Sequence, residues 1–431
     1  MKIRVCLCAM LKDEASNIHF MLDRYQPKPA IVAVNINNTT DNTREVLTEY
    51  CAKHGIKLYI KESKFYNYAE NRNIAMETAN AAIRSFYGIC PTGPISKEES
   101  ILMEKNDDIW YTHMVDADNL TLDDNITGVT DENMDTMDLG TVNIARCINA
   151  SIPKGKKDYP DSFDMTILSS SKYVVNNLFR MHLNGYNGIV YMCCVHEVPT
   201  PKCWNMTLYD LKGCYIKRGQ RGARSRDGLT YMKDAMTITH YLNEGRVVPG
   251  DKPRMTYYCA QSYKDARLHN EAITYFHKRA IDERGYHDER FMAYLNLSQL
   301  IGWIRIDGQS PYTAPEVELK KLEFISNAHE LIPYRWDAMV PLFRFYYQRK
   351  LYKLAWTIAK PYARMYDVPK GLFVDKAYYE SVVVLEEFVL AASHAGDKDT
   401  ARDILNHISK LPAERFKTGE YDRIMAHRSL L

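Results

Sequence analysis

Residues 109–119 read Ile-Trp-Tyr-Thr-His-Met-Val-Asp-Ala-Asp-Asn, an apolar run that ends in two aspartates separated by one residue. A short apolar run followed directly by a charged turn is typical of a buried strand. We therefore predict a strand over Ile109–Val115, with Asp116 and Asp118 in the loop at its carboxyl end. In an open α/β sheet, that edge is where ligands bind.

The chain before this run alternates between short apolar segments and segments with helical spacing. The predicted strands are Lys2–Leu7, Ala30–Asn35 and Ile56–Ile60, and the predicted helices are Glu14–Tyr25, Arg44–Lys53 and Tyr68–Phe86. Strands that are connected through helices pair in parallel, so we expect an α/β domain with a mixed, mainly parallel sheet. Gly and Pro residues predict loops over 87–107 and 153–160.

Beyond about residue 250, the apolar spacing is helical almost throughout. Small and aromatic residues recur there at intervals of nine and four. The recurring sets are Tyr263, Ala272 and Phe276; Tyr346 and Ala355; and Ala392, Ala401 and Leu405. This spacing is similar to that of degenerate tetratricopeptide repeats, in which small side chains allow two helices to cross closely. An irregular helical bundle is the alternative. We predict a first domain over 1–245 and a helical tetratricopeptide-like domain over 246–431.

The composition excludes several classes of protein. The 431 residues are 46% hydrophobic and 26% charged, with a net charge of +2, which is the balance of an ordinary globular protein. Because the bulk charge is close to zero, it does not recruit nucleic acid or an anionic membrane. No stretch approaches the roughly 20 apolar residues of a membrane span. The ten cysteines include no CxxC pair with zinc spacing, so we expect free thiols in a cytoplasmic protein.

Asp116 and Asp118 lie beside one predicted loop, where their charges repel each other unless a cation neutralises them. Hard oxygen ligands suit Mg²⁺ or Mn²⁺, which commonly join protein carboxylates to substrate phosphates. A solvated acidic turn is the usual explanation for an isolated Asp-x-Asp. The position at a strand end favours a divalent metal site here, with Mn²⁺ or Mg²⁺ as the expected cofactor.

A second candidate is the segment Val195-His196-Glu197, which follows an apolar run. A zinc-protease helix is excluded, because no second His follows at the required spacing and Pro199 would break the helix. A carboxylate at a strand end acts as a general base when burial raises its pKa. A surface Glu197 beside a packing His196 is the alternative.

Cationic residues supply two candidates for phosphate binding. Arg72 lies at the start of a predicted helix, where a phosphate contact and an ion pair with a neighbouring acid are both consistent with its position. A Gly-rich segment after residue 211 suits a flexible loop that closes over a diphosphate, or else a solvated face or a nucleic-acid patch. Its cations are Lys212, Lys217, Arg218, Arg221, Arg224 and Arg226. The absence of Walker and Gly-x-Gly-x-x-Gly motifs excludes P-loop and Rossmann dinucleotide sites.

Taken in order, these segments resemble family 2 glycosyltransferases with the GT-A fold, in the subgroup with a C-terminal tetratricopeptide region. They are similar to the family's opening strand and turn, its Ser-Thr-Asp-Gly-Thr turn, its Ala-Arg-Asn helix start, its Asp-x-Asp and its Leu-Phe-Arg…Val-His-Glu segment. The corresponding residues are 9–14, 39–43, 65–73, 116–118, 178–180 and 195–197. The resemblance covers about residues 1–240, followed by the repeats.

The resemblance implies an inverting, metal-assisted transfer of a sugar from a nucleoside-diphosphate donor, most simply a UDP-sugar, to a hydroxyl of a glycan or protein. It implies that Asp118 binds the metal, that Asp116 contacts the metal or the ribose, and that Glu197 deprotonates the acceptor. It also implies a donor site and residues that support it. The donor site would contain Asn35, Asn37, Asp41, Arg72, Asp116, Lys217 and Arg218, and the supporting residues would be His196, Gln220 and Arg221.

The chain departs from the family's pattern at two places. Where the family usually has an Asp for the nucleobase at the end of the second strand, this chain has Asn35, Ile36 and Asn37. The stretch 215–220, which corresponds to the closing loop, lacks the metal-binding His of many members. Either Gln220 or water then completes the metal site, or Lys217 and Arg218 take over part of the charge of the metal.

Two further functions stay open on the sequence alone. The helical region could grip a partner while the first domain serves as an inactive, glycosyltransferase-like scaffold. A nucleotidyltransferase shares the Asp-x-Asp and the nucleotide site, but it releases pyrophosphate instead of a nucleoside diphosphate. Helical repeats of this type also self-associate, so a homodimer is a further expectation, whereas a nucleic-acid partner is not expected.

Overall fold

The computed structural model describes residues 2–92, 108–129, 133, 137–153, 162–168, 173–180, 189–201, 207–217 and 227–431. The chain divides into two units, Met1–Thr230 and Tyr231–Leu431. This division falls before the predicted boundary after residue 245, because the helix over 230–243 packs on the next helix of the second unit. The Thr239 Oγ1 and the Tyr263 hydroxyl, one from each of these helices, lie 2.9 Å apart.

The first unit contains the sheet that the strand and helix pattern predicts. Its strands are β1 (Lys2–Leu11), β2 (Ile31–Asn37), β3 (Lys57–Ser63), β4 (Asp108–Val115), β5 (Leu120–Asp123), β6 (Ser162–Leu168), β7 (Tyr173–Arg180), β8 (Ile189–Met192), β9 (Val198–Pro201), β10 (Leu208–Asp210) and β11 (Cys214–Lys217). Within the described ranges, the sheet has the order β3-β2-β1-β4-β7-β6-β11-β5, with β10 beside β6, and β8 and β9 form a separate hairpin.

The strand pairing is mixed, as predicted. β1 pairs in parallel with both β2 and β4, and β2 pairs in parallel with β3. β7 is antiparallel to β4 and β6, and β11 is antiparallel to β5. The carboxyl ends of β1 to β4 therefore meet at one edge of the sheet, which the following loops extend.

The first unit also contains a 3₁₀ turn (Ala15–Asn17) and the helices α1 (Ile18–Leu22), α2 (Thr43–His54), α3 (Tyr68–Phe86) and α4 (Ile144–Ser151). The bounds of α3 coincide with those predicted. The predicted helix Glu14–Tyr25 is too long at both ends. Asp13 has a positive φ of 54°, which turns the chain just before the 3₁₀ turn. At the other end, Tyr25 leaves the helix to form an isolated bridge with Val142.

Helices cover both faces of the sheet, so its central strands are buried on both sides. All seven residues of β2 are buried. In β1, Leu7 and Ala9 belong to one core cluster, while Cys6 and Cys8 face the other cluster together with α3. Alternate residues of a strand point to opposite faces of the sheet. Because both faces are covered here, the sequence of a central strand is apolar at almost every position.

The second unit is helical. Its helices are α5 (Thr230–Asn243), α6 (Lys252–Asp265), α7 (His269–Ile281), α8 (His287–Leu300), α9 (Ala314–Leu331), α10 (Trp336–Tyr347), α11 (Tyr352–Ala359), α12 (Lys376–Glu380), α13 (Val382–His394), α14 (Lys398–Ile408) and α15 (Glu420–Met425), with 3₁₀ turns at Ile301–Trp303, Ala413–Arg415 and Ala426–Leu430. None of the described helices is long and apolar enough to cross a membrane.

The small residues of the predicted repeats are buried in this unit. Ala272, Ala355, Ala392 and Ala401 have no exposed surface. The two helices predicted between Tyr257 and Arg279 are α6 and α7, which are joined at 266–268. These observations confirm a helical second domain, while its classification as tetratricopeptide-like stays a prediction.

Candidate active site

The start of α3 is fixed by hydrogen bonds on both sides of its first turn. Asn67 is the N-cap, and its side-chain oxygen accepts a hydrogen bond of 2.8 Å from the backbone N–H of Glu70. The backbone N–H of Tyr68 donates to the carbonyl of Cys194 at 3.1 Å. Asn is among the best capping residues, and the cap determines where the helix begins. The next three residues, 71–73, point about 100° apart around the helix and reach three different neighbours.

Asn71 joins α3 to the ends of β2 and β3. Its Nδ2 donates to Asn35 Oδ1 and to Ser63 Oγ, both at 3.1 Å. Asn37 Nδ2 donates to the same two atoms, at 2.5 Å and 3.0 Å. The residues expected at the nucleobase are thus buried in a network of amides, and Asn37 Oδ1 is an acceptor without a partner in the described part of the chain. Sequence reasoning missed Ser63 and Asn71; Ser63 ends β3, three residues beyond the predicted end of this strand at Ile60.

Arg72 joins the two candidate carboxylates. Its Nη2 donates to Asp116 Oδ1 at 2.7 Å, and its Nε donates to Glu197 Oε1 at 2.6 Å. Asp116 and Glu197 lie 44 and 125 residues along the chain from Arg72. The Arg72 side chain is 12% exposed, that of Glu197 13% and that of Asp116 38%. One guanidinium therefore holds two acids that the sequence analysis had assigned to separate roles.

The environment of Arg72 keeps it charged. Burial lowers the pKa of its guanidinium, but the charges of Asp116 and Glu197 raise it more, so the pKa lies well above the usual value. The guanidinium lies 5.6 Å from the centre of the Tyr191 ring, within the range of a cation–π contact. Burial raises the pKa of Tyr191 far above its usual value, so this ring stays a neutral phenol.

Glu197 lies on a turn between β8 and β9 that is attached to α3. The Tyr191 backbone N–H donates to Asn73 Oδ1 at 2.7 Å, and Asn73 Nδ2 donates to the Tyr191 carbonyl at 2.9 Å. His196, predicted as a supporting residue, lies on this turn with a positive φ of 55°. No hydrogen bond joins Glu197 Oε2 to a described residue.

The Asp-x-Asp lies directly after β4, as predicted. The backbone N–H of Asn119 donates to the Asp116 carbonyl at 3.0 Å, which closes the turn, and Asn119 Nδ2 approaches Asp116 Oδ2 at 3.3 Å. Asp118 is partly exposed on the same turn. In the described part of the chain, no three His, Cys, Asp or Glu side chains converge in a metal-binding group. Magnesium commonly binds through one or two carboxylates plus substrate phosphates, and the two aspartates fit that mode.

Backbone pairing places Lys217 beside the acidic turn. Lys217 is the last residue of β11 and lies opposite Leu120, the first residue of β5. Leu120 directly follows the turn that carries Asp116 and Asp118. Lys212 also lies within the described residues. The remaining cations and the amide predicted for this loop lie outside them, namely Arg218, Gln220, Arg221, Arg224 and Arg226.

Asp41 lies on an exposed loop and joins two loops at the same edge of the sheet. Its Oδ2 accepts a hydrogen bond of 3.1 Å from the backbone N–H of Ala15, and its Oδ1 accepts one of 3.0 Å from that of Thr43. Asp13 makes the reciprocal contact, because its Oδ1 accepts from the backbone N–H of Thr40 at 2.6 Å. This hydrogen bond lowers the pKa of Asp13 below its usual value. Asp41 therefore has a structural task that the sequence did not predict.

No family model matches this chain, and no curated protein does. Among solved structures, S. aureus TarS matches with 12% identity and a TM-score of 0.29 over 78% of this chain. The match spans 55% of that TarS chain. S. aureus TarS 1–349 matches with 11% identity and a TM-score of 0.27, over 81% of this chain and 92% of that chain. The complex of S. aureus TarS 1–349 with UDP matches with 10% identity and a TM-score of 0.27, over 76% of this chain and 90% of that chain. Similarities at these TM-scores carry no inference about the fold or ligand of this chain.

Proposed function

We propose that this protein is an inverting glycosyltransferase of the GT-A type, which transfers a sugar from a nucleoside diphosphate to an acceptor hydroxyl. The observation that carries the proposal is the bridge through Arg72 between Asp116 at the end of β4 and Glu197 after β8. It brings an acid suited to the donor diphosphate and an acid suited to the acceptor into one site. That site lies at the carboxyl ends of parallel strands, where α/β sheets bind ligands.

Glu197 is the proposed general base. Its Oε1 is held by Arg72, and its Oε2 takes the proton of the acceptor hydroxyl. The acceptor oxygen then attacks the anomeric carbon, and the bond from that carbon to the phosphate oxygen breaks. The nucleoside diphosphate leaves with the electron pair, and the configuration at the anomeric carbon inverts. A positioned base of this kind contributes about 10²- to 10⁴-fold to a rate.

The acidic turn and β11 are proposed to hold the diphosphate. Among the described residues, Arg72 contacts two carboxylates, Asp116 and Glu197, and Asp118 lies on the same turn as Asp116, so an anionic donor requires further positive charge. Asp118, with Asp116, would hold Mn²⁺ or Mg²⁺, which would neutralise charge on the departing diphosphate. Lys217 would contribute a cation from the end of β11, together with Arg218. His196, Gln220 and Arg221 stay proposed supporting residues.

The nucleobase is proposed to lie near the ends of β1 to β3, with UDP-sugars as the first donors to test. Asn35 and Asn37 replace the acid that the family pattern has there. Asn35 is hydrogen-bonded to Ser63 and Asn71, and Asn37 is hydrogen-bonded to Ser63 and Asn35. We therefore propose that Asn35 and Asn37 shape the nucleobase site by their packing, and that Asn37 Oδ1, which has no partner among the described residues, accepts a hydrogen bond from the nucleobase. Asp41 would shape this pocket by fixing the loop after β2.

The proposal is tested by incubating the protein with UDP-, GDP- and other nucleoside-diphosphate sugars and a mixture of glycan and peptide acceptors, with Mn²⁺, Mg²⁺ or a chelator. The expected product is a nucleoside diphosphate, released in step with a new glycosidic bond. Release of pyrophosphate in a parallel incubation with nucleoside triphosphates and sugar 1-phosphates would instead identify a nucleotidyltransferase. Partner binding without turnover of any donor would identify a scaffold.

The helical unit is proposed to recognise the glycan or protein acceptor or to form a homodimer. Sedimentation of the full chain measures the second possibility directly. A single species with the mass of one 49.9 kDa chain at all concentrations would exclude the dimer.

A further inference from the structure

The turn that carries Glu197 has a backbone that does not hold its shape alone. Cys193 and His196 have φ of 73° and 55°, in the left-handed region that residues other than glycine rarely adopt. Such conformations are costly for residues other than glycine and persist only where the surroundings hold them. The position of Glu197 therefore depends on contacts outside the turn.

Asn73 makes such a contact just before the turn. Its amide exchanges two hydrogen bonds with the backbone of Tyr191, of 2.7 Å and 2.9 Å, as a neighbouring strand would. Across the β8–β9 hairpin, Tyr191 lies opposite Pro199, which has no N–H to donate. Asn73 thus supplies the Tyr191 carbonyl with a donor that Pro199 cannot provide.

We propose that Asn73 is a positioning residue for the Glu197 carboxylate. This inference rests on the proposed function, in which Glu197 is the base. Asn73 holds the backbone at Tyr191, before the turn, and Arg72 holds the side chain of Glu197, on the turn. Arg72 and Asn73 are consecutive residues of α3. The same helix therefore positions Glu197, through both residues, and Asp116, through Arg72.

The side chain at position 73 has to be Asn for this task. The contact needs one donor and one acceptor at the end of a short side chain. Asp has no donor for the Tyr191 carbonyl, Gln is one methylene longer, and Ala has neither group. Loss of the contact frees β8 and lets the turn relax, and a displacement of about 1 Å at a reacting group costs up to 10²-fold in rate.

The test compares Asn73→Ala with Asn80→Ala. Asn80 lies two turns further along the same face of α3, and its buried Oδ1 has no hydrogen-bond partner among the described residues. Ala favours the helix at both positions. We expect Asn73→Ala to lower kcat about tenfold or more with the donor KM within about twofold, and Asn80→Ala to leave both unchanged.

A double variant shows whether Asn73 acts through Glu197. In the Glu197→Gln background, Asn73→Ala should cause less than about a twofold further loss, because the group that it positions is gone. The proposal is overturned if kcat is unchanged in Asn73→Ala, or if the loss is equally large in both backgrounds.

Hydrogen exchange of the 189–197 peptide separates this proposal from the proposed function. Exchange should be faster in Asn73→Ala than in the wild type and unchanged in Asn80→Ala. If the wild type transfers no sugar, the proposed function fails, and the exchange data still test the contact. Equal exchange in the wild type and Asn73→Ala would overturn the inference whether or not the protein is active.

Discussion

Arg72 is the residue on which the candidate site depends. Its two donors are directed at Asp116 and Glu197 through different nitrogens, Nη2 and Nε. Removing it takes a charged hydrogen-bond donor away from both acids, one of which is largely buried. The planar fork of a guanidinium makes both contacts at once, which a single ammonium does not reproduce.

We expect Arg72→Met to lower kcat about a hundredfold, because both carboxylates lose their position. Arg72→Lys keeps the charge but not the fork, so it should recover donor binding better than kcat. Steady-state kinetics of both variants measure this. The matched control is Arg44→Met, which removes an exposed ion pair with Glu62 in the same unit and should leave kcat unchanged. Full activity of Arg72→Lys would contradict the bridging role.

His113 is a buried titratable residue of β4 outside the candidate site. Its Nδ1 lies 3.2 Å from the Tyr25 hydroxyl, and burial lowers its pKa to about 3. In the unfolded chain, the pKa of a His is about 6.5. Between these values, the unfolded state binds a proton that the folded state does not, so the protein loses stability as the pH falls.

We expect the free energy of unfolding to fall below pH 6.5 by up to about 1.4 kcal/mol per pH unit through His113 alone. His113→Gln should remove this part of the slope, and His19→Gln, which changes a 61% exposed side chain, should not. Urea unfolding at pH 7, 6, 5 and 4 measures the slopes. Parallel slopes for the wild type and His113→Gln would show that this His titrates normally.

Among the elements, α3 organises the site through consecutive residues of its first turns. Asn71 reaches β2 and β3, Arg72 reaches the two acids, and Asn73 reaches β8. The cap at Asn67 determines the rotation and register with which these side chains leave the helix.

We expect Asn67→Ala to cost about 1 kcal/mol of stability and also to lower turnover. Asn143→Ala is the matched control, since Asn143 caps α4 in the same way, with an acceptor 2.9 Å from the Arg146 N–H. It should cost the same stability with no change in turnover. Urea unfolding and kinetics of both variants provide the comparison, and equal effects on turnover would show that α3 has no special role.

The sequence predicted the elements better than their contacts. The strands β2 and β4 were predictable because strands buried on both faces read as apolar runs, and α3 was predictable because its apolar residues have helical spacing. The turn after β4 was predictable because two acids end an apolar strand. The contacts of Asn71 and Asn73 were not, since an Asn in a helix gives no sign of which distant backbone it meets. The contact of Asp41 with Ala15 was not predictable for the same reason, because Ala15 comes from another loop.

In the whole molecule, the helical unit has its own buried charge cluster. Arg335, whose side chain is 2% exposed, donates to Asp288 at 2.8 Å and contacts Asp337. It also donates to the carbonyls of Leu372 and Phe373, at 2.9 Å and 3.1 Å. This residue therefore joins α8 and the start of α10 to the segment that precedes α12.

We expect Arg335→Met to destabilise the protein by about 3–5 kcal/mol, because Asp337 is left buried without its partner. Arg349→Met, which removes an exposed pair with Glu318, should cost less than about 1 kcal/mol. Thermal unfolding of the two variants measures the difference. A similar small loss for both would show that the Arg335 cluster is not stabilising.

The most direct test of the proposed transferase compares donor binding and turnover in Glu197→Gln. Calorimetry gives the donor Kd, and the rate of nucleoside-diphosphate release gives kcat, both for the wild type and the variant. We predict a Kd within about twofold and a kcat lower by about 10²- to 10⁴-fold, because only proton transfer is lost. An unchanged kcat, or equal losses in binding and turnover, would contradict the assignment of Glu197 as the base.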